Sequence, residues 1–374
     1  MPLSCDIVVI GAGIAGISVG AELGASAKVK IIEMEAQAGF HASGRSAAFY
    51  AKPYGNKVVR GITAASEHFF RSPPDGFTEV DLLRDRYCVF FAREEQKLQL
   101  HAMQEEIPSL QFMNAKEIRQ LVPILREESL YGALCDSSGG DLDVDAILQG
   151  YLRLFRRRGG ELITAETVIS IEAENSAWRV RTNKAEYSAA VVINAAGAWA
   201  DSVAELANLA PLGLIPKRRT ALLIDTPGGV DTKDWPLSVD IDEQFYFKPD
   251  AGQLLISPAD ETPSAACDAQ AEELDVAMAV DRFEIATGLE VKRVNHRWAG
   301  LRTFAEDKTF VAGYDPRTEG FFWLAGQGGY GVQSAPGMAQ LGSSLVNGIA
   351  PEKEFSAVLD HRNAVSPQRL IAKA

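Results

Sequence analysis

The sequence predicts an α/β protein in two interleaved parts. One is a parallel-sheet, nucleotide-binding domain assembled from discontinuous segments; the other is a mixed or antiparallel β-rich domain with helices, inserted twice. Three observations carry this reading. The chain opens with "CDIVVIGAGIAGISVGAELGAS" and "KVKIIEME", a strand, glycine turn, helix and second strand. Two further apolar strands, "VVINAAGAW" and "FFWLAGQGGYGVQSAPG", run into small residues far downstream. Between them lie strand-like segments of a different texture: "YCVFFA", "LYGALCD", "RTALLID", "EQFYFKPDAGQLLISPA" and "VKRVNHRWAGLRTF". The expected boundaries are 1–80, 141–214 and 301–374 for the nucleotide-binding domain, and 81–140 and 215–300 for the β-rich one.

Taken in order, the first unit is Rossmann-like. "GAGIAG" sets Gly11, Gly13 and Gly16 directly after a strand and at a helix start. The first glycine permits the turn, the second lets backbone approach a pyrophosphate, and the third lets helix and strand pack closely. Glu33 ends the next strand, where a carboxylate accepts a bond from a ribose hydroxyl and repels the extra phosphate of NADP. The segments "VRGITAASEHFFRS" and "DVDAILQGYLRLFRRRGG" read as helices, the second capped by Asp143 or Asp145 and closed by Gly159 and Gly160. "PDAG" reads as a hairpin turn.

Composition narrows the function. The chain has 374 residues, 32 glycines and a formal net charge of −13, which repels phosphate backbones and anionic lipid, so neither nucleic acid nor a membrane surface is an expected partner. Cys5, Cys88, Cys135 and Cys267 form no C-x-x-C pair, and the five histidines, among them His41 and His361, show no metal-ligand spacing; no metal and no disulfide are expected. The glycine-broken N-terminal run resembles neither a signal peptide nor a membrane span, which makes a cytoplasmic protein the expectation.

The stretch "GFHASGRSAAFY" following Glu33 consists of small residues that would let backbone pack against a flavin and its pyrophosphate. With "NAAGAWAD", "PLGLIPKRR", "FYFKPDAG", "WAGLRTF" and "GQGGYGVQ", it resembles the FAD-dependent D-amino acid oxidase and glycine oxidase family, and within it the D-arginine dehydrogenases. That resemblance implies noncovalent FAD. It assigns Gly11, Gly13, Ile14, Ala15, Gly16, Glu33 and Met34 to the adenosine and pyrophosphate end, with Ser43, Gly44, Arg45, Ser46, Ala47 and Ala48 along the flavin and pyrophosphate. Arg45 would balance phosphate charge. Val168 would meet the adenosine through its backbone, Ala196, Gly197 and Trp199 would close over the cofactor, and Gly300 and Arg302 would border it. Gly328, Gly329, Tyr330, Gly331 and Gln333 would present a helix N-terminus to the flavin.

For substrate, the resemblance implies an arginine clamp on an α-carboxylate. Arg302 is the first candidate and Arg219 the second, strand alternation turning only one of Arg218 and Arg219 inward. Tyr246 would hydrogen-bond the carboxylate and Tyr54 would act as a lid, while Phe49, Cys88, Gly329 and Gln333 would line the substrate pocket. Lys217 and Lys248 read as solvated. The implied reaction is oxidative deamination of a D-amino acid to a 2-oxo acid and ammonia, with a quinone-like carrier or O2 as electron acceptor, in a monomer or homodimer. Alternatives are a glycine- or sarcosine-oxidase-like enzyme using O2 and a 2-hydroxy acid dehydrogenase. Because the wall strand offers Cys88 and no acid, neutral or apolar D-amino acids are expected over D-Arg and D-Lys, unless Asp242 or Glu243 supplies the acid.

Overall fold

In the computed structural model, which describes residues 2–228, 230–350, 355 and 362–371, the three strand-then-glycine segments become neighbours. His361 and parts of the expected 301–374 segment (351–354, 356–361 and 372–374) lie outside the described residues. Among the described residues, a six-stranded sheet runs in the order Glu161–Ile163, Val29–Ile32, Ile7–Ile10, Val191–Asn194, Phe321–Ala325, Val311–Tyr314. All pairings are parallel except the last. Burial on both faces explains why Ile7–Ile10 and Phe321–Ala325 are uninterrupted apolar runs. The "GAGIAG", "NAAGAW" and "GQGG" motifs thus leave the C-terminal ends of three adjacent strands, where an open α/β sheet binds its ligand.

The helices Ile14–Leu23, Val144–Arg157 and Ala335–Val346 pack with this sheet around one apolar cluster. Val144–Arg157 begins at Asp143, whose carboxylate accepts from the Ala146 N–H at 2.8 Å, and Gly159 at φ 82° follows its end. Gly16 is obligatory for the close approach of helix and turn: a Cβ there would lie 2.0 Å from the Gly11 carbonyl oxygen.

The second large sheet draws its strands from 88–136 and 215–304. Its order is Thr262–Pro263, Ile215–Ile224, Gln253–Ser257, Tyr246–Asp250, Leu237–Asp240, Cys88–Arg93, Leu130–Asp136, Gln111–Asn114, with Val294–Phe304 pairing along Ile215–Ile224. It is mixed, because Leu237–Asp240 joins Cys88–Arg93 in parallel. The turn at Ala251 and Gly252, both at positive φ, closes the hairpin read from "PDAG". Alternation divides this sheet cleanly. Val89, Phe91, Leu222, Phe247 and Ile256 point into a core under the helix Glu273–Thr287, whereas Cys88, Phe90, Arg219, Ala221, Tyr246 and Lys248 face the opposite side, toward the nucleotide-binding domain.

Candidate active site

A long cleft follows the C-terminal ends of the parallel strands and continues into a smaller inner pocket over the face of the second sheet that turns toward the nucleotide-binding domain; Ser46, Ala47, Arg219, Tyr246, Arg302 and Gly329 border both. Gly11, Gly13, Ile14, Ala15, Glu33, Met34, Ser43, Arg45, Val168, Ala196, Gly197, Trp199, Gly300, Gly328 and Gly331 all lie on the cleft wall. The first helix starts at Gly13, and Ser43 Oγ accepts the Ile14 N–H at 2.9 Å, tying the small-residue loop to the helix N-terminus. Buried Glu33 accepts from Ala12 N–H at 2.6 Å and Glu35 N–H at 2.9 Å, which fixes its carboxylate at the strand end.

Several residues sit differently from expectation. Gly16 and Gly44 are off the wall; Gly44 is needed because a Cβ would approach the Gly39 carbonyl oxygen to 2.6 Å. Tyr330 turns away from the cleft and packs edge-on against Tyr54, Phe304 and Phe310. The helix expected at "GQGGYG" begins only at Ala335, after a series of turns in which Gly328 takes φ +50° and a Cβ there would meet the Phe304 ring. Gln333 lines the inner pocket, but its amide is engaged elsewhere, accepting from Ala51 N–H and donating to Thr63 Oγ1. Arg45 reaches the cleft, yet its guanidinium is held by the carbonyls of Ala269 and Ala299 and by Asp268, so it clamps the 268–269 segment rather than standing ready for phosphate. Lys248 is buried instead of solvated, 3.0 Å from Asp141; Lys217 pairs with Glu261.

The inner pocket collects Arg219, Arg302, Tyr246 and Tyr54 with Phe49, Ala48, Cys88 and Gly329. Arg219 is only 7% exposed; its Nε donates to the Asp260 carbonyl at 2.8 Å and one terminal nitrogen lies 3.5 Å from Glu261. Burial works against its charge, but the tyrosines and acids around it hold the guanidinium above its ordinary value. Its neighbour Arg218 faces the other way, onto Asp275 and Glu272. Arg302 differs from both: among the described residues its guanidinium donates to no protein acceptor, and it lies so close to Gly329 that a Cβ there would sit 2.7 Å from one of its nitrogens. Burial, reinforced by Glu243, pushes the Tyr54 phenol up, and burial pushes the Cys88 thiol well up, so neither is a nucleophile or base near neutral pH. Glu243 lines the pocket mouth, whereas Asp242 is bonded to Gln96.

The cleft fits FAD on its own chemistry. An added Cβ at Gly197 would meet open space, a helix N-terminus faces the cleft, and the buried Gln327 Nε2, Thr303 Oγ1 and His41 Nδ1, all on cleft-lining residues, have no partner among the described residues. His41, packed at a tilt against the Trp199 ring and bonded to Glu35, was not legible as a wall residue, nor was Cys267, which enters the cleft from a distant segment.

The profile of the DAO family, described as FAD dependent oxidoreductase, matches residues 6–345. The chain belongs to the DAO family. Among curated proteins it is 24% identical to a glycerol 3-phosphate dehydrogenase of Caloramator mitchellensis, over 93% of this chain and 75% of the relative. It is 25% identical to the uncharacterized oxidoreductase YurR of Bacillus subtilis, over 67% of this chain and 66% of that protein. Similar solved structures include an L-proline dehydrogenase from P. horikoshii (17% identity, TM-score 0.84, 100% and 99% of the two chains) and a glycine oxidase from Geobacillus kaustophilus (20%, 0.82, 95% and 98%). At these identities the solved structures speak to the DAO fold. The chain is an FAD-dependent oxidoreductase, and among the described residues no helix is long and apolar enough to cross a membrane.

Proposed function

We propose that this DAO-family enzyme oxidises α-amino acids of the D configuration to 2-oxo acids and ammonia, with FAD held noncovalently. One observation carries the reading: the guanidinium of Arg302, without an acceptor among the described residues, stands where the inner pocket opens onto the cofactor cleft. An arginine so placed calls for an anionic ligand group, and a carboxylate matches its planar fork. Arg219 adds a second, pre-oriented cation, and the phenols of Tyr246 and Tyr54 border the same space. Clamping the carboxylate fixes which face and which hydrogen of the α-carbon turn toward the cleft. FAD, when bound, would supply the two-electron acceptor for that carbon. The pocket wall needs no strong base for this: the substrate amine binds unprotonated, and water later hydrolyses the imine. The D hand rests on the resemblance carried by the six motifs. A preference for neutral side chains over cationic ones is supported by Lys248 in the pocket wall, with Glu243 confined to the mouth.

Anaerobic mixing of the holoenzyme with D- and L-amino acids tests the reading. D-amino acids should bleach the flavin absorbance, with D-Leu and D-Met ahead of D-Arg and D-Lys. Bleaching by the L set alone would remove the assignment of hand, and bleaching by neither would remove the amino acid itself.

A further inference from the structure

The inner pocket holds a charge that carboxylate clamping does not use. Lys248 lies on the same face of its strand as Tyr246, two residues on, which places it roughly 6.6 Å further along the pocket floor. The residue is 3% exposed. Its Nζ lies 3.0 Å from Asp141 and 3.5 Å from Asp250, and Asp141 is itself held by Arg86 at 2.5 Å. Arg84 also approaches Asp141, at 3.6 Å, so three cations meet two carboxylates here with a local excess of positive charge, and an ammonium with three donors has one beyond these two partners. The rest of the pocket floor around it is apolar: Phe49, Cys88, Phe90, Leu237 and Val239. Phe49 pairs backbone to backbone with Asp141, so the aromatic wall and the ion pair move as one piece.

We infer that Lys248 is the specificity-determining residue of this pocket, and that it selects substrates whose side chain ends in a hydrogen-bond acceptor, of the glutamate or glutamine type. The inference rests on the carboxylate-clamp reading above. With the α-carboxylate at Arg219, Arg302 and Tyr246, a side chain laid along the floor brings its end group to Lys248. A carboxylate or amide oxygen there accepts the remaining N–H. An alkyl side chain leaves that donor unsatisfied, and a cationic one meets like charge.

The test uses holoenzyme and two non-oxidisable probes of equal chain length, glutarate and pentanoate, titrated by their perturbation of the flavin absorbance. Glutarate should bind at least about tenfold tighter than pentanoate, and Lys248→Met should abolish that advantage. In the same variant the ratio of kcat/KM for D-glutamine to that for D-norleucine should fall by about tenfold or more. If Lys248→Met does not retain FAD, the comparison is made in Lys248→Met/Asp141→Asn, which removes the paired charges together. Equal binding of the two probes by the wild-type protein, or a glutarate advantage that survives loss of the ammonium, overturns the inference. A Lys248-dependent glutarate advantage in a protein that no amino acid bleaches supports it while removing the proposed reaction.

Discussion

At the scale of the residue, the site depends on what is missing as much as on what is present. Gly329 has no side chain, and the space it leaves is filled by the Arg302 guanidinium. Its backbone is not in the left-handed region, so Gly329→Ala strains nothing locally; the added methyl displaces the far end of a flexible side chain. Stability should hardly change, while kcat/KM should fall roughly ten- to a hundredfold, since an ångström of misplacement is costly where a carboxylate orients the reacting carbon. Steady-state kinetics beside a thermal melt check both halves, and an unaltered kcat/KM would show that Arg302 does not hold substrate. Three non-glycine residues that line the inner pocket, Ala48, Glu243 and Ala259, adopt φ near +53° (53°, 53° and 52°), the kind of local strain that a surrounding structure sustains around a ligand site. The alternation of Arg218 and Arg219 could be read from sequence because adjacent strand residues must face opposite ways. Lys248 could not: a lysine before a turn defaults to solvent, and its burial depends on Asp141, 107 positions away.

At the scale of the element, local chemistry specifies where each helix and strand begins, and tertiary contacts decide which of them meet. The helix Val144–Arg157 shows the first half. Asp143 is exposed, borders neither the cleft nor the inner pocket, and caps the Ala146 N–H, so Asp143→Ala should lower unfolding free energy by about 1 kcal/mol. A denaturant midpoint would register that loss, and FAD affinity should stay unchanged; a parallel drop in FAD affinity would mean that this helix positions the cofactor rather than only supporting the sheet. The helix, its cap and the "PDAG" hairpin were legible because capping and turn signals are short-range. The delayed start of the helix at Ala335 was not, since the Phe304 ring that leaves no room for a side chain at Gly328 is brought in from another strand. Nor did any local signal pair Leu237–Asp240 in parallel with Cys88–Arg93, although that junction joins the two inserted segments into one sheet and supplies the pocket floor.

At the scale of the whole molecule, the ionic pattern sets how the fold responds to acid. Burial resists ionisation of Asp315, but hydrogen bonds from Arg317 and Trp323 outweigh it and hold the carboxyl below its usual range. Asp307 with Arg369, Glu261 with Lys217 and Lys308, and Glu67 with Lys52 and Arg71 are held low in the same way, each against the cost of burial. A carboxyl whose pKa is depressed in the fold binds its proton more readily in the unfolded chain, so its stabilisation is present above the unfolded value of about 4 and is lost as pH falls through the lower folded value. Asp260 and Asp201 work in the other direction, raised chiefly by burial, and gain stability on protonation. The net charge of −13 adds a second opposing effect, because mild acidification relieves self-repulsion before the paired carboxylates titrate. The melting temperature of the holoenzyme should therefore change little between about pH 7 and 5 and fall steeply below about pH 4. Asp315 isolates the cause, since its side chain is fully buried and its partner Arg317 lies only two residues away in sequence. Asp315→Asn should melt lower than wild type at neutral pH and converge on it in acid, where the wild-type carboxylate is also lost. Melting curves that stay parallel across that range would mean that the acid response comes from elsewhere in the molecule.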